Sequence, residues 1–443
     1  MNARSAKEKR ATITGKKHNS NQIFNKVKGF LRVLGPGFVT GAADDDPTAI
    51  AAYTQSGAQF GYRLLWTALF AIPFMTVVQE MCGIIGAVTG KGLAHVIKEH
   101  YSKKILYSAV MFLLIANIIN IGADLGAMAA TAQLLLKLPF IVLLMIITLA
   151  TLVIEVFVPY KSYVNYLKYL TLTLLAYVVV AFIAKQNWSE IAVATFIPHI
   201  SFDRAYLLSI LAILGTNISP YLFFWQASEE VEEAVEKNKI KSIGKGTPHV
   251  TGSYIRKLKL DTTVGMVFSN VIVFFICITA ASTLGAHGIT DIQTPSQAAE
   301  ALRPLAGSLT FVLFTIGIMG SGFLAVPVLA GSAAYAFAES FGWREGLYRK
   351  LKSAYGFYGV IAVATIVGLF VNFLGIKPFQ MLVYSAALNA ILAPPLLILI
   401  ILMSNNKKIV GEHINSRLTN SLGIFITVLM FIASIAFFFS LIK

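Results

Sequence analysis

Three consecutive carboxylates, Asp44, Asp45 and Asp46, stand next to Pro47 in a stretch that is otherwise apolar enough to cross a membrane. An ionisable side chain at membrane depth costs roughly 2.5–3.5 kcal/mol on insertion scales, so such residues usually belong to an ion or substrate path. Proline lacks a backbone donor and opens the helix, which frees carbonyl groups that can bind a cation. The segment therefore predicts a cation site in a broken membrane helix.

A second break is predicted between Gly215 and Tyr221, where glycine and small polar side chains precede Pro220. It lies five spans after the first break, and because five is odd, the two breaks fall in oppositely oriented halves. Two interrupted helices at matching positions of inverted repeats are the best sequence indication of a central site in a secondary transporter. Either break alone could be a structural kink, but together they favour a binding site.

The composition predicts the elements that position these breaks. With 56% hydrophobic and 13% charged residues and a mean hydropathy of +0.72, the chain is a polytopic membrane protein. Segments of about 20 apolar residues suffice to cross the hydrocarbon core. Eleven spans are predicted, over residues 34–57, 62–87, 105–135, 138–157, 162–184, 206–233, 258–284, 308–338, 355–374, 379–403 and 420–441. No domain boundary is visible, so residues 33–443 form one transmembrane domain with repeats at 33–185 and 206–403 and an additional helix at 420–441.

The formal net charge of +15 reflects membrane topology and does not indicate nucleic-acid binding. Most of the 36 Lys and Arg fall on one side of the predicted spans. The other side keeps Arg63, Lys137, Lys185, Arg204, Arg303, Lys377 and Lys443. The positive-inside rule then predicts a multi-pass plasma (inner) membrane protein with a cytoplasmic N-terminus and an extracytoplasmic C-terminus. The basic tail 1–32 lacks a signal-peptide core and is expected to be a disordered cytoplasmic arm near anionic headgroups.

Three stretches resemble the Nramp family of proton-coupled divalent-metal transporters, namely GPGFVTGAADDDPTAIAAYTQSGAQFGYRLLW, VTGKGLAHVI and GADLGAMA. The resemblance implies an all-α LeuT-type fold of two inverted five-helix repeats, helices 1–5 and 6–10, plus an eleventh helix, with helices 1 and 6 broken at mid-membrane. It also implies a divalent metal held between helices 1 and 6. The family's Asp-Pro-Gly-Asn falls on Asp46-Pro47-Thr48-Ala49, and its Met-Pro-His falls on Ser219-Pro220-Tyr221.

Two departures from the family pattern bear on the ion. Asp46 keeps the ligand carboxylate, but Ala49 replaces the family's Asn and Ser219 replaces its Met. A thioether selects softer transition metals, whereas oxygen ligands suit Mg²⁺, Ca²⁺ or Mn²⁺. Smaller side chains also leave room for Mg²⁺, which usually keeps several of its waters. In this respect the chain looks like the Nramp-related magnesium transporters, a divergent branch.

The other site candidates have two interpretations each. Asp44 and Asp45 stand where typical members carry uncharged residues; they either face the cavity and raise its cation affinity, or cap a half-helix and accept backbone hydrogen bonds. The remaining candidates are the carbonyl near Ala43 and the polar groups of Thr48, Thr216, Asn217 and Ser219. Polar residues at helix contacts can also simply hold helices together.

Proton coupling is expected to be weak or absent. The family's helix-6 His falls on Tyr221, whose phenol ordinarily keeps its proton at neutral pH. Helix 3 retains Asp124, but the Glu expected three residues later falls on Ala127. Asp124 either carries a proton alone or pairs with a neighbouring polar group.

Glutamates 229, 230, 232 and 233 at the end of the sixth span are interpreted as a solvated helix end paired with Lys237 and Lys239. An acidic funnel that raises the local cation concentration is the alternative.

Among function classes, a carrier of Mg²⁺, with Mn²⁺ possible, into the cytoplasm by alternating access is favoured. The alternatives are a typical proton-coupled Mn²⁺/Fe²⁺ symporter, a sodium-coupled organic-solute carrier on the same fold, and a metal sensor. An enzyme is not expected, because the chain has neither a Walker-type loop nor a Cys/His cluster with metal spacing. No cofactor and no nucleic acid are expected; the partners are divalent ions and the bilayer, and the oligomeric state stays open with a monomer allowed.

Overall fold

The computed structural model describes residues 35–158 and 171–442. The predicted tail 1–32 and the residues 162–170 of the fifth predicted span lie outside that part of the chain. Within it the secondary structure is helical, and no β-strand occurs besides an isolated bridge between Ser242 and Lys245. The prediction of an all-α protein is confirmed.

In chain order the α-helices are α1 Pro36–Asp44, α2 Pro47–Phe60, α3 Leu65–Thr89, α4 Leu93–His100, α5 Lys103–Leu136, α6 Phe140–Phe157, α7 Leu175–Ile183, α8 Trp188–Phe196, α9 Arg204–Asn217, α10 Pro220–Glu236, α11 Gly252–Thr283, α12 Pro295–Ala299, α13 Arg303–Ala306, α14 Thr310–Phe341, α15 Tyr355–Val371, α16 Pro378–Ser404, α17 Lys407–Val410 and α18 Arg417–Ile442.

Eight helical runs in the described residues are long and apolar enough to cross a membrane, and Tyr355–Val371 is a shorter apolar helix. One run, Pro47–Thr89, has 43 residues and would extend about 65 Å as a single helix, roughly twice the hydrocarbon thickness. Gly61 divides it, because its φ of +60° lies in a region that few other residues adopt. The run therefore corresponds to the end of the first predicted span and the whole of the second.

Both predicted breaks are present. Helix α1 ends at Asp44 and α2 begins at Pro47, while α9 ends at Asn217 and α10 begins at Pro220. Each proline is the first residue of its helix, where its missing N–H costs no hydrogen bond and its fixed φ suits the helix. The same residue that interrupts one half-helix thus begins the next.

Helix α6 shows how the outer surface suits a bilayer. Its exposed positions Ile141, Met145 and Leu149 are four residues apart and form one apolar stripe. A continuous apolar stripe of this kind would be unfavourable against water but is the expected surface against lipid. The stripe therefore supports the assignment of α6 as a membrane span.

Helix α1 packs against α11 with almost no space between the two backbones. A Cβ atom added to Gly41 would lie 2.3 Å from the carbonyl oxygen of Gly265, and one added to Gly37 would lie 2.6 Å from the Cα of Thr262. Asp261 of α11 also caps α1, since its carboxylate accepts hydrogen bonds from the backbone N–H of Gly35 at 2.8 Å and of Gly37 at 2.9 Å. These contacts fix the orientation in which α1 presents its C-terminal carboxylates.

Candidate functional site

Asp46 is held by the break that it helps to form. It is the N-cap of α2, and its Oδ1 accepts a hydrogen bond from the backbone N–H of Ala49 at 2.7 Å. Its Oδ2 accepts a second one from the Asn120 side-chain amide of α5 at 3.1 Å. Both oxygens are satisfied and the side chain is buried, so the carboxylate is fixed in position and keeps further lone pairs for a cation.

Asp124 lies on the same side of the break as Asp46. The hydroxyl oxygen of Thr48 is 2.9 Å from Asp124 Oδ1 and 3.0 Å from the side-chain oxygen of Asn120. Ser385 of α16 donates a hydrogen bond to that same Asn120 oxygen at 2.6 Å. The predicted residues Asp46, Thr48 and Asp124 therefore share one polar network, which Asn120 and Ser385 complete.

Asp44 and Asp45 lie on the other side, against α11. The hydroxyl of Ser269 is 2.6 Å from Asp44 Oδ2 and 2.9 Å from Asp45 Oδ1. Both carboxylates are buried, whereas the Asp46 carboxylate accepts its hydrogen bonds from Ala49 and Asn120. Accordingly, no three His, Cys, Asp or Glu side chains in the described residues converge as a metal-binding group.

The predicted polar residues of the second break bond mostly within it. The Ser219 hydroxyl donates to the carbonyl of Gly215 or of Thr216, at 2.5 and 2.8 Å, and the Thr216 hydroxyl donates to the carbonyl of Ile213 at 2.9 Å. The Asn217 amide donates instead to the Tyr53 hydroxyl of α2 at 2.8 Å. In this arrangement none of the three side chains is hydrogen-bonded to the carboxylates of the first break.

Tyr221 connects the two breaks directly. Its hydroxyl donates a hydrogen bond to the carbonyl oxygen of Ala43 at 3.1 Å, across from α10 to the last turn of α1. The backbone oxygen that was predicted to take part in the site therefore has a protein donor here. A carbonyl oxygen has two lone pairs, so one remains on Ala43 for a cation.

The site contains four buried aspartates, at positions 44, 45, 46 and 124, and no basic side chain in residues 35–158 and 171–442 pairs with them. Ionised carboxylates buried without a counter-charge are strongly unfavourable, so these groups bind either protons or a cation. The C-terminal end of α1 adds the negative end of a helix dipole beside Asp44. The arrangement can compensate this charge by binding a metal ion.

Sequence reasoning missed Asn120, Ser385 and Ser269. Each is a polar residue in an otherwise apolar span, and Asn120 precedes Asp124 by one helical turn. That i, i+4 spacing places both on one face of α5 and was the available signal for Asn120. For Ser269 and Ser385 the sequence offers no such neighbour.

The glutamates at the end of α10 correct one prediction. Glu230 is 2% and Glu232 7% exposed, so the interpretation as a solvated helix end is wrong for both. Glu230 accepts a hydrogen bond from the Tyr254 hydroxyl at 2.8 Å, and Glu232 accepts one from the backbone N–H of Leu347 at 2.6 Å. Glu233 agrees with it, since its carboxylate lies 2.5 Å from the Lys237 ammonium group; Glu229 is half-buried. The segment after α14 covers this end of α10, which composition alone does not reveal.

Glu345 in that segment gives a pH-dependent prediction. Burial first, and then the carboxylates of Glu339 and Glu232, raise the pKa of Glu345 from 4.5 to about 10. A carboxyl whose pKa is raised by folding stabilises the fold below its unfolded pKa, and this contribution is lost as the pH rises toward the folded pKa. We therefore expect Glu345→Gln to raise the thermal unfolding midpoint in detergent, and to raise it more at pH of about 9 than at about 5.

The exposed Glu412 provides the matched control, Glu412→Gln, for which no such trend is expected. A midpoint difference for Glu345→Gln that stays constant across this pH range would contradict the burial argument.

The sequence comparisons cover almost the whole chain. The family profile described as Nramp, natural resistance-associated macrophage protein-like, matches residues 37–440. The divalent metal cation transporter MntH of Clostridium acetobutylicum is 28% identical over 434 residues, covering 94% of this chain and 93% of the relative. MntH of Klebsiella pneumoniae subsp. pneumoniae is 23% identical over 416 residues, covering 92% and 93%.

The structural comparisons agree on the fold. The chain superposes on a manganese transporter of Eremococcus coleocola with a TM-score of 0.70 at 15% identity, covering 92% of this chain and 86% of the other. It superposes on Mhp1, a nucleobase-cation-symport-1 family transporter, with a TM-score of 0.50 at 12% identity, covering 92% and 91%. These likenesses confirm the predicted LeuT-type architecture with broken helices 1 and 6. The chain belongs to the Nramp family of divalent-metal transporters, a family of membrane carriers and not of enzymes.

Proposed function

We propose that this carrier moves hard divalent cations, Mg²⁺ first and Mn²⁺ second, into the cytoplasm by alternating access around Asp46. The observation that carries the proposal is the group of buried carboxylates at the first break, which has no basic partner among the described residues. The similarity to proteins known as divalent metal cation transporters and as a manganese transporter supports the substrate class.

The preference for Mg²⁺ rests on the side chains that border the breaks. Ala49 contributes only its backbone N–H to Asp46, and Ser219 offers a hydroxyl where the family pattern has a thioether. Oxygen donors suit hard cations, and Mg²⁺ retains waters that small side chains leave room for. We therefore place a partly hydrated ion beside Asp46, with Thr48 and Asn120 in reach through its water molecules.

We further propose that proton coupling is weak or absent. Tyr221 uses its hydroxyl proton in the hydrogen bond to Ala43, and Ala127 cannot titrate. One observation favours the alternative, a proton-coupled Mn²⁺/Fe²⁺ symporter: Asp124 Oδ2 is buried and has no hydrogen-bond partner in the described residues. Asp124 is therefore the residue that would carry a proton if one is co-transported.

The proposal includes an orientation and a conformational cycle. With the N-terminus in the cytoplasm of a plasma membrane, α1 faces inward, and the repeats 33–185 and 206–403 are inverted about the site. Asp46 is buried here, which supports an occluded state. Release to the cytoplasm then requires α1 to separate from α11, where Asp261 holds its N-terminus.

Uptake into proteoliposomes tests the function and the coupling together, with separate dyes for Mg²⁺, Mn²⁺ and internal pH. The proposal expects Mg²⁺ entry at constant internal pH. Entry of Mn²⁺ with acidification, and none of Mg²⁺, would support the symporter alternative and reject the proposal.

Ser219 gives a selectivity prediction. We expect Ser219→Met to raise the rate of Cd²⁺ uptake relative to Mg²⁺ by about tenfold or more, because a thioether binds soft cations better than a hydroxyl does. The ratio is measured with Cd²⁺ and Mg²⁺ dyes in the same proteoliposomes.

Ser219→Leu is the matched control, since it adds similar volume without sulfur. An equal rise in that variant would mean that space, and not the sulfur ligand, changes the selectivity.

A further inference from the structure

The Ser269 hydroxyl lies within hydrogen-bond distance of two carboxylates but can donate to only one of them at a time. It lies 2.6 Å from Asp44 Oδ2 and 2.9 Å from Asp45 Oδ1, but a hydroxyl has one proton to donate. The other two oxygens, Asp44 Oδ1 and Asp45 Oδ2, are buried and have no hydrogen-bond partner in the described part of the chain. The four carboxylate oxygens of Asp44 and Asp45 therefore share a single hydrogen-bond donor among the described residues, the Ser269 hydroxyl.

Asp46 differs from its two neighbours in this respect. Its oxygens accept hydrogen bonds from Ala49 and Asn120 and not from Ser269. Asp45 lies between α1 and α2 with φ of −78° and ψ of 48°, which is not helical. The chain bends there, so that Asp44 and Asp45 contact α11 while Asp46 contacts α5. The triplet thus contributes to two polar sites.

The charge at the α11 side matches a divalent cation. Two carboxylates carry two negative charges, and the last carbonyl groups of α1, which lack intrahelical donors, add the negative end of the helix dipole. A hydroxyl and carboxylate oxygens are ligands that hard cations prefer. Unpartnered buried carboxylate oxygens are unfavourable unless a proton or a cation is bound to them.

We propose that Asp44, Asp45 and Ser269 form a second binding position for a small hard divalent cation, separate from the position at Asp46 and Asp124. This inference rests on the proposed function, because it assigns an additional step to the same ion path. Conduction requires binding strong enough to admit the ion yet divided among sites so that it can leave. A second position on α11 lets the ion leave Asp46 without first becoming fully solvated.

Counting bound ions tests the proposal. Mn²⁺ is the probe, measured by equilibrium dialysis against the purified full chain in detergent. We expect two ions per chain in the wild type, one in the double variant Asp44→Asn/Asp45→Asn, and one in Asp46→Asn. Ser269→Ala should weaken one of the two sites by about 10-fold or more, as is typical when a metal-site partner is removed.

The control is Glu155→Gln, a buried carboxyl on α6 that contacts Thr365 at 3.2 Å; it should keep both ions. One ion in the wild type that Asp46→Asn loses and the double variant keeps would overturn the second site and leave the proposed function intact. Two ions in both wild type and Asp46→Asn would contradict the proposed function instead.

A gain-of-binding variant keeps the proposal falsifiable if the double variant does not fold. Ser269→Cys places a thiol between the two carboxylates, and thiolates select soft metals. We expect Cd²⁺ to inhibit Mn²⁺ uptake by this variant at a concentration about 10-fold lower than for the wild type. The wild type also contains the buried Cys82 and Cys277, so comparison with it removes any contribution of these two cysteines to the inhibition by Cd²⁺.

Ser434→Cys on α18 is the matched control, because its buried hydroxyl bonds only to the carbonyl of Met430 at 2.8 Å. Equal inhibition of both cysteine variants would show that Ser269 does not face a cation site and would overturn the proposal.

Discussion

Asp46→Asn should lower divalent-cation uptake into proteoliposomes on the order of 100-fold while the protein remains folded. Removing one partner of a buried ionic interaction costs about 3–5 kcal/mol. Asparagine is as good an N-cap as aspartate, so the hydrogen bond from Ala49 and the start of α2 are kept. The substitution therefore removes the charge and also the hydrogen bond that Oδ2 accepts from Asn120, since an amide NH2 donates and does not accept. Relief of the uncompensated buried charge offsets that loss in stability.

Three measurements separate this effect from misfolding. The thermal midpoint of Asp46→Asn should stay near that of the wild type, whereas Asp46→Ala should lower it because the cap at 2.7 Å from Ala49 is lost. Glu155→Gln, the buried control on α6, should transport normally. Wild-type uptake rates in Asp46→Asn would exclude this carboxylate as the central ligand.

Gly41→Ala should be among the most damaging small substitutions in the chain. The new Cβ would lie 2.3 Å from the carbonyl oxygen and 2.4 Å from the carbonyl carbon of Gly265, distances that real Cβ atoms do not reach. Backbone atoms cannot rotate away as a side chain can, so α1 must shift from α11. We expect a loss of about 1–3 kcal/mol in stability and a larger loss of uptake, because Asp44 and Asp45 move with α1.

Gly359→Ala on α15 is the matched control, since a Cβ there meets no atom within 4 Å. Alanine is favoured over glycine in a helix interior by about 1 kcal/mol, so this variant should unfold at the same temperature or higher. Both variants are compared by thermal unfolding in detergent and by uptake. A Gly41→Ala protein as stable and active as Gly359→Ala would mean that the contact between α1 and α11 is not tight.

Local chemistry explains which features of the site could be predicted. Proline suits the first position of a helix, and Pro47 and Pro220 directly follow polar residues within a span, so both breaks could be predicted. Pro73 and Pro327, which follow apolar residues, lie inside continuous helices. Asp46 could be singled out because it matches the aspartate of the family's Asp-Pro pattern; its role as the N-cap of α2 comes from the structure. These inferences need only neighbouring residues, and the structure has both breaks at the predicted places.

The partners of the carboxylates could not be predicted because they come from distant helices. Asn120 and Ser269 are 74 and 225 residues from the aspartates that they contact. The direction of each aspartate side chain depends on the backbone bend at Asp45, which composition does not specify. The sequence therefore supported one cluster of three carboxylates, while the structure divides them between α5 and α11.

The burial of the glutamates at the end of α10 could not be predicted from the sequence either. Glu230 and Glu232 lie at the end of an amphipathic helix, a pattern typical of a solvated surface, but both are buried. Glu232 is covered by α14 and the segment 342–354, and Glu230 contacts Tyr254 of α11. Tyr335 and the backbone N–H of Leu347 satisfy Glu232 in place of water. Whether an acidic residue is solvated depends on these long-range contacts and not on its own neighbours.

Competition between Mg²⁺ and Mn²⁺ tests the central claim most directly. Initial rates of Mn²⁺ uptake by wild-type proteoliposomes are measured while the external Mg²⁺ concentration is raised. If Mg²⁺ is the preferred ion at Asp46, an equal concentration of Mg²⁺ should at least halve the Mn²⁺ rate when both ions are saturating, and Mg²⁺ itself should enter. An unchanged Mn²⁺ rate in about 100-fold excess of Mg²⁺, a discrimination of about 2.7 kcal/mol, would contradict the account of a hard-cation carrier.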